Sequence, residues 1–462
     1  RGTLRAKTLC VFLGLTLGAC QLGFGAFNNT GDVTPTPPTS GYTWNATTVV
    51  VGATTTSSLQ LDSGSTVSFS NFYIGSSAVG AVTLAGNLTV STGLYVGTSG
   101  GSGSLTLDYP GGANGSNLTF SVATVGTAAG SSGLVRMSYG TITGSTMSLG
   151  SSGGSGTLSI TGGAATMAAL KVGDTGTGYL SMSGGTLTVS TFRLGNEAGS
   201  TGSATLTGSA ALSASTLFVG SSGSGNMTMG TGSRLSAYTL SVGHYNGGTG
   251  SLTVNSASVT VTGGGTTGFV GNSGTGAMTL NYNSNATIQT LSIGTNTTGN
   301  GSVTVSQGSS LTSSTLVVGD KGKGALYDSS VVNAANVYVG SASSGAGTVT
   351  VSGTRMTVSG TTYVGYSGSG TMTVTGSSYG PGLYTTTLNI GTNVGGSGSL
   401  TTQYAALSAS NIIIGDAGNG RLSIGTCSAT YASISAGTIT LGAQATGVGT
   451  LSLNNLTSYL TA

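Results

Sequence analysis

The chain has only eight acidic side chains: Asp32, Asp62, Asp108, Asp174, Glu197, Asp320, Asp328 and Asp416. Cleaving a glycosidic bond needs two carboxylates, or a carboxylate beside Lys, Arg or a bound cation, and one stretch assembles such a set. Lys171 and Arg193 stand at the same outward offset in consecutive repeats, with Asp174 and Glu197 in the turns just after them. A carbohydrate-active site is therefore one reading of these four residues. The expected reading is a surface salt-bridge network that lets two like charges stack, and the chain is expected not to be an enzyme. Asp320, Lys321 and Lys323 form a second charged turn with the same explanation. His244, the single histidine, follows Gly243 in a turn and is expected in solvent. One imidazole cannot build a poly-histidine metal site, and a Ser-His-Asp triad has only this residue to form around. Cys10, Cys20 and Cys427 draw neither a disulfide framework nor a thiolate metal site. No cofactor or metal is expected.

Two outward arrays carry binding potential. Thr228, Thr253, Thr279 and Thr304, with Thr106, Ser159, Ser181, Thr350 and Thr373, occupy the middle of the same short segment in their repeats. Stacked, they predict a flat hydroxyl ladder. Regular Thr arrays suit ice, and β-branched hydroxyl residues also simply suit exposed strands. Tyr73 with Tyr95, and Tyr338 with Tyr363, are expected to stack on neighbouring coils. There they can lie against sugar rings or shield the strand beneath by cross-strand packing.

These offsets are measured from a recurring glycine, so the positioning element is a repeat. From residue 49 an apolar-x-aliphatic-Gly unit returns with its Gly at seventeen places, from Gly52 and Gly75 through Gly173, Gly195 and Gly220 to Gly442. The 390 residues from first to last make sixteen intervals of about 24, a period that signals stacked coils. The residue before each anchor Gly is Val, Ile or Leu, and the residue three before it is apolar except at Gly268 and Thr362. Between them stand Tyr95, Lys171, Arg193 and Asn389, a mixture only an outward position tolerates. Period two identifies a strand with one buried face.

A second strand follows, usually opened by Gly-x-Gly, as in Gly154-Ser155-Gly156-Thr157-Leu158-Ser159-Ile160. These glycines read as turns, because they precede strands and offer no helix N-terminus to a phosphate. A weaker third segment, such as Leu187-Thr188-Val189, precedes the next anchor, so three short strands per coil are expected. Each coil buries only a few aliphatic side chains at roughly 1.5–3 kcal/mol apiece, so no coil is stable without its neighbours. At the ~4.8 Å strand spacing, the coils predict a rod on the order of 80 Å long.

Composition agrees with such an array. Gly accounts for 86 of 462 residues and charged residues for 4%, against about 25% charged in an ordinary soluble domain. Five prolines and no Gly-X-Y register exclude collagen. Arg1, Arg5 and Lys7 aside, eight basic residues balance eight acidic ones, leaving no basic footprint for nucleic acid. Calcium-binding β-rolls need a regularly repeated Asp, which is missing here.

Residues 1–20 read as a signal peptide: a basic start, then apolar Leu9 to Leu17, then Leu17-Gly18-Ala19-Cys20. That last run is similar to a bacterial lipobox, which makes Cys20 the lipidation candidate. Residues 21–43, with Pro35, Pro37 and Pro38, read as a linker, and 44–462 as the repeat domain.

The Leu-x-Val-Gly and Gly-x-Gly-x-Leu-Thr-Val units in a Gly/Ser/Thr-rich setting resemble the repeats of bacterial autotransporter passengers and related adhesins. The expected fold is all-β, a right-handed parallel β-solenoid (β-helix) of about 17 coils with about 24 residues per coil. The resemblance implies an exported surface rod or adhesin, extracellular or at the outer membrane. Its expected partners are surface glycans or further copies of itself, and it would meet a membrane only through an N-terminal lipid or signal anchor. A carbohydrate-active enzyme and an ice-binding protein are the alternatives.

Overall fold

The structure is a computed structural model that describes residues 27–37, 43–108, 116–262, 268–352, 354–376, 382–425, 433–453 and 459–461. The described residues form strands and turns without a helix, and so contain no helix long and apolar enough to cross a membrane. Each coil contributes one short strand, such as Thr177–Met182, and one long strand, such as Thr186–Leu194. Short strands stack on short strands and long on long, parallel and in register. Thr177 pairs with Ser155 below and Thr201 above, while Thr186 pairs with Ala164 and Ala211. The molecule is a parallel β-solenoid, with sixteen turns between the first and last anchor glycine.

The expected third strand is not separate. Leu187-Thr188-Val189 and Phe192-Arg193-Leu194 lie in one nine-residue strand that bends between them. The bend falls where the inside-outside alternation slips: Ser190 and Thr191 both face outward, and pairing passes from Val189↔Ala214 to Thr191↔Thr216 without residue 190. A corner with two outward residues turns the chain while keeping the ladder almost whole. In two coils the strand does divide, into Ser258–Val261 with Gly268–Val270 and Asn285–Ile288 with Thr290–Ile293.

The opposite corner is set by glycine. Gly173, at φ +69°, leaves no room for a side chain, since a Cβ there would lie 2.1 Å from the carbonyl oxygen of Thr201 in the next coil. Reciprocally, a Cβ on Gly202 would lie 2.0 Å from the Val172 carbonyl. The second glycine of each Gly-x-Gly is thus not a turn residue as expected. It is an inward strand position where two coils come too close for any side chain, and the columns of anchor and strand glycines interlock along the rod.

Between the two sheets lies one aliphatic interior. On the short strands Leu180 and Met182 face Leu187, Val189, Phe192 and Leu194 of the long strand, all buried. At the N-terminal end the winding reverses. Phe27–Thr30 runs antiparallel along Ser57–Leu61, and Val33–Thr34 antiparallel along Thr43–Val51, so these parts of the segment read as a linker are docked on the body. Beneath them Trp44 meets Phe69 edge-on at 4.8 Å, and Phe69 meets Phe72 at 5.0 Å.

Gly202→Ala forces a methyl group against a backbone oxygen that cannot move without breaking its ladder. The substitution is expected to cost about 1–3 kcal/mol, read as a lower urea midpoint, whereas Ser203→Ala on the outward side leaves the midpoint within about 0.5 kcal/mol.

Candidate functional site

Register turns single side chains into columns. On the short strands Thr205, Thr228, Thr253, Thr279 and Thr304 occupy one outward column on five consecutive coils. Successive hydroxyls are therefore separated by the strand spacing of ~4.8 Å. Ser181 and Ser159 extend the column one way until Arg136, and Tyr327 interrupts it the other way before Thr350, Thr373 and Thr401 resume. Thr228, Thr253, Thr279 and Thr304 are brought together as expected. Thr205 was missed because its inward neighbour is the small Ala204, which weakens the apolar pattern.

A longer column escaped the sequence reading altogether. The third residue of each long strand faces outward, and from Ser68 through Thr89, Thr119, Thr143, Thr166, Thr188, Ser213, Ser236, Thr260 and Thr287 to Thr312 every member carries a hydroxyl. Its signal was present in the Thr of Leu187-Thr188-Val189 and Val259-Thr260-Val261. Beside it a shallow groove of about 430 Å³ is lined by Thr188, Ser213, Ser236, Thr260 and the exposed Arg234.

Both tyrosine pairs stack. Tyr73 and Tyr95 lie 4.7 Å apart at 12° between ring planes, and Tyr338 and Tyr363 lie 4.8 Å apart at 15°. Tyr366 stands edge-on to both members of the second pair, at 5.3 and 5.1 Å. Desolvation first, and then the phenols of Tyr363 and Tyr366, push the Tyr338 phenol above its usual range.

The charged residues occupy the same column as the tyrosines, since Lys171 pairs with Arg193 and Tyr338 with Tyr363 at the position two before the anchor. Lys171 Nζ lies 3.4 Å from Asp174 Oδ1. Asn196 Nδ2 donates to Asp174 Oδ1 at 2.7 Å and to Glu197 Oε1 at 3.1 Å, and Ser148 Oγ donates to Asp174 Oδ2 at 3.0 Å. Arg193 donates to Asn196 Oδ1 at 3.3 Å and sits 5.0 Å over the Phe218 ring. Asn196, which sequence reasoning did not single out, is the hub that joins both carboxylates to the guanidinium.

The stripe then continues to His244, whose ring is 4.3 Å from Phe218. Contrary to expectation this histidine is half-buried. Its Nδ1 meets Ser241 Oγ at 2.9 Å and Asn272 Nδ2 at 3.2 Å. Burial, and secondarily Arg193, lower its pKa, which favours the neutral ring. The described residues include no group of three or more His, Cys, Asp or Glu that could hold a metal ion. Cys20 and Cys427 lie outside the described residues.

Among the described residues, the carboxyl of Asp328 faces inward. Asp328 takes the interior place that Val305 and Val351 hold on the flanking coils, and it is 1% exposed. Its Oδ1 accepts the Ser330 N–H at 3.0 Å, while Oδ2 is buried without a partner. Burial pushes its pKa up to about 6, with the Ser330 bond working against the rise.

Together these features define a Gly/Ser/Thr-rich β-solenoid whose outward columns carry hydroxyls, stacked phenols and one polar network. No family model matches the chain, and no curated protein or solved structure matches it either.

The folded pKa of Asp328 lies above the ordinary 3.8, so folding favours the protonated form. Its stability contribution is complete below about pH 4 and is lost as pH rises through about 6. Asp328→Val is expected to raise stability at pH 7 by on the order of 3 kcal/mol and to flatten the pH dependence of the urea midpoint between 4 and 6. An unchanged profile removes Asp328 as its source.

Proposed function

We propose that the chain is an exported bacterial surface rod, similar to autotransporter passengers and adhesins, and that it acts through structure and adhesion rather than catalysis. The observation that carries this reading is the eleven-coil hydroxyl column from Ser68 to Thr312. A column repeated at backbone spacing offers many identical weak contacts, and linked contacts multiply into useful avidity. The near-neutral body suits uncharged partners, surface glycans or other copies of the rod. A non-catalytic role for Lys171, Asp174, Arg193 and Glu197 is supported by their engagement in one network, in which Asn196 joins Asp174, Glu197 and Arg193 and Lys171 pairs directly with Asp174.

The N-terminal reading completes the proposal: residues 1–20 direct export, and Cys20 accepts a lipid that tethers the rod. Expression with residues 1–20 retained is expected to yield a surface-exposed, lipid-labelled protein, and Cys20→Ser a secreted, unlabelled one. Unlabelled protein confined to the cytoplasm would sink this part.

A second reading, ice binding, is favoured by one observation, the five consecutive threonines from Thr205 to Thr304 on a single column. Unaltered ice-crystal growth and shape in the presence of the protein would dismiss it.

Adhesion is tested by retention of the purified rod on mucin-coated and mannan-coated beads. Thr188→Ala alone is expected to change retention less than about twofold, whereas replacing Thr166, Thr188, Ser213, Ser236 and Thr260, five consecutive members of the Ser68–Thr312 column, together with Ala lowers it by about tenfold or more. Equal retention of the two variants, with unchanged circular dichroism, contradicts adhesion through this column.

A further inference from the structure

Two remote places on the rod share one geometry. Tyr73 and Tyr95 are in-register partners on consecutive coils, as are Tyr338 and Tyr363. In both cases the rings are nearly parallel and under 5 Å apart. All four rings are half-buried, so each stack is held against the sheet while its edge reaches solvent. At the second stack Tyr366 closes one side. Tyr139, Tyr179, Tyr238, Tyr282 and Tyr327 are more exposed, and none of these five stacks on another tyrosine among the described residues.

A phenol that loses one electron and one proton becomes a radical whose spin is shared between the oxygen and the ortho carbons. Two such radicals held face to face need only tilt toward each other to join. Orientation of this kind replaces a bimolecular search. We propose that Tyr73–Tyr95 and Tyr338–Tyr363 are sites of oxidative cross-linking, where a haem peroxidase with hydrogen peroxide converts each stack into a dityrosine bridging consecutive coils. The two phenols supply two electrons and two protons, and the peroxide is reduced to two waters. A carbon–carbon bond forms between ortho carbons, and each ortho hydrogen then moves to its own oxygen, restoring both rings and both hydroxyls. The net change is loss of two hydrogens per bridge.

The bridge would close a loop of 22 residues at the first stack and 25 at the second, counted along the chain. It would add a covalent tie where the coils are otherwise joined by hydrogen bonds and packing. Such a tie acts on the rate at which the rod opens. The proposal does not depend on adhesion or on export.

The test treats dilute purified protein with a haem peroxidase and limiting hydrogen peroxide, follows dityrosine fluorescence, and maps the linked peptides by mass spectrometry. Expected are monomers lighter by two hydrogens per bridge, with peptides holding Tyr73 and Tyr95 joined, and those holding Tyr338 and Tyr363 joined. Tyr338→Phe keeps a stacked ring and an unchanged circular dichroism spectrum, loses the second bridge and retains the first. Tyr179→Phe alters neither bridge. Links found only between chains, links among other tyrosines or through Tyr366, or oxidation without any bridge would each overturn the proposal.

Discussion

The close approach of consecutive coils at the glycine corner is the constraint on which the rest of this molecule depends. Backbone touches backbone there, with Gly173 and Gly202 representing two columns in which a Cβ would meet a carbonyl oxygen at about 2 Å. Because the approach recurs every turn, the two sheets stay in register over the whole length. Register makes a column out of any one position, and the hydroxyl and phenol chemistry of the described surface is arranged in such columns. Hydroxyl rows, tyrosine stacks and the Asn196 network are all products of one repeated backbone contact.

The interior obeys the same logic with opposite sign. A side chain facing inward meets its own kind above and below, so aliphatic residues reinforce one another and a charge has nowhere to go. Asp328 is the exception, a carboxyl between two valines with one oxygen unpartnered. A quasi-one-dimensional stack has no distant contacts with which to offset a local defect. Opening of the rod is therefore expected to begin near this rung.

Much of this was legible beforehand, and the reasons differ for what was not. The period and the alternation of Leu158 and Ile160 about Ser159 are local signals, so coils and strands could be read directly. The joining of Leu187-Thr188-Val189 to Phe192-Arg193-Leu194 could not, because a bend and a break look alike in sequence. The Ser68–Thr312 column, the hub role of Asn196 and the half-burial of His244 arise between coils, across intervals of unequal length. Only alignment by the backbone reveals which residue of one turn meets which of the next. Asp328 was visible as an acid, but its inward facing depended on recognising Lys323–Asp328 as a strand despite Tyr327 in the outward row.

The corner that bends each long strand also tolerates extra residues. Asn87–Val96 and Arg355–Val364 are each one residue longer than the usual nine, and the surplus is absorbed between Val90 and Gly93 and between Val358 and Thr362 without disturbing the pairs on either side. Because successive turns share one cross-section, a chain with a turn more or a turn fewer would close the same stack. Reach thus becomes a heritable quantity, adjustable in uniform steps, while the chemistry displayed at each step drifts independently.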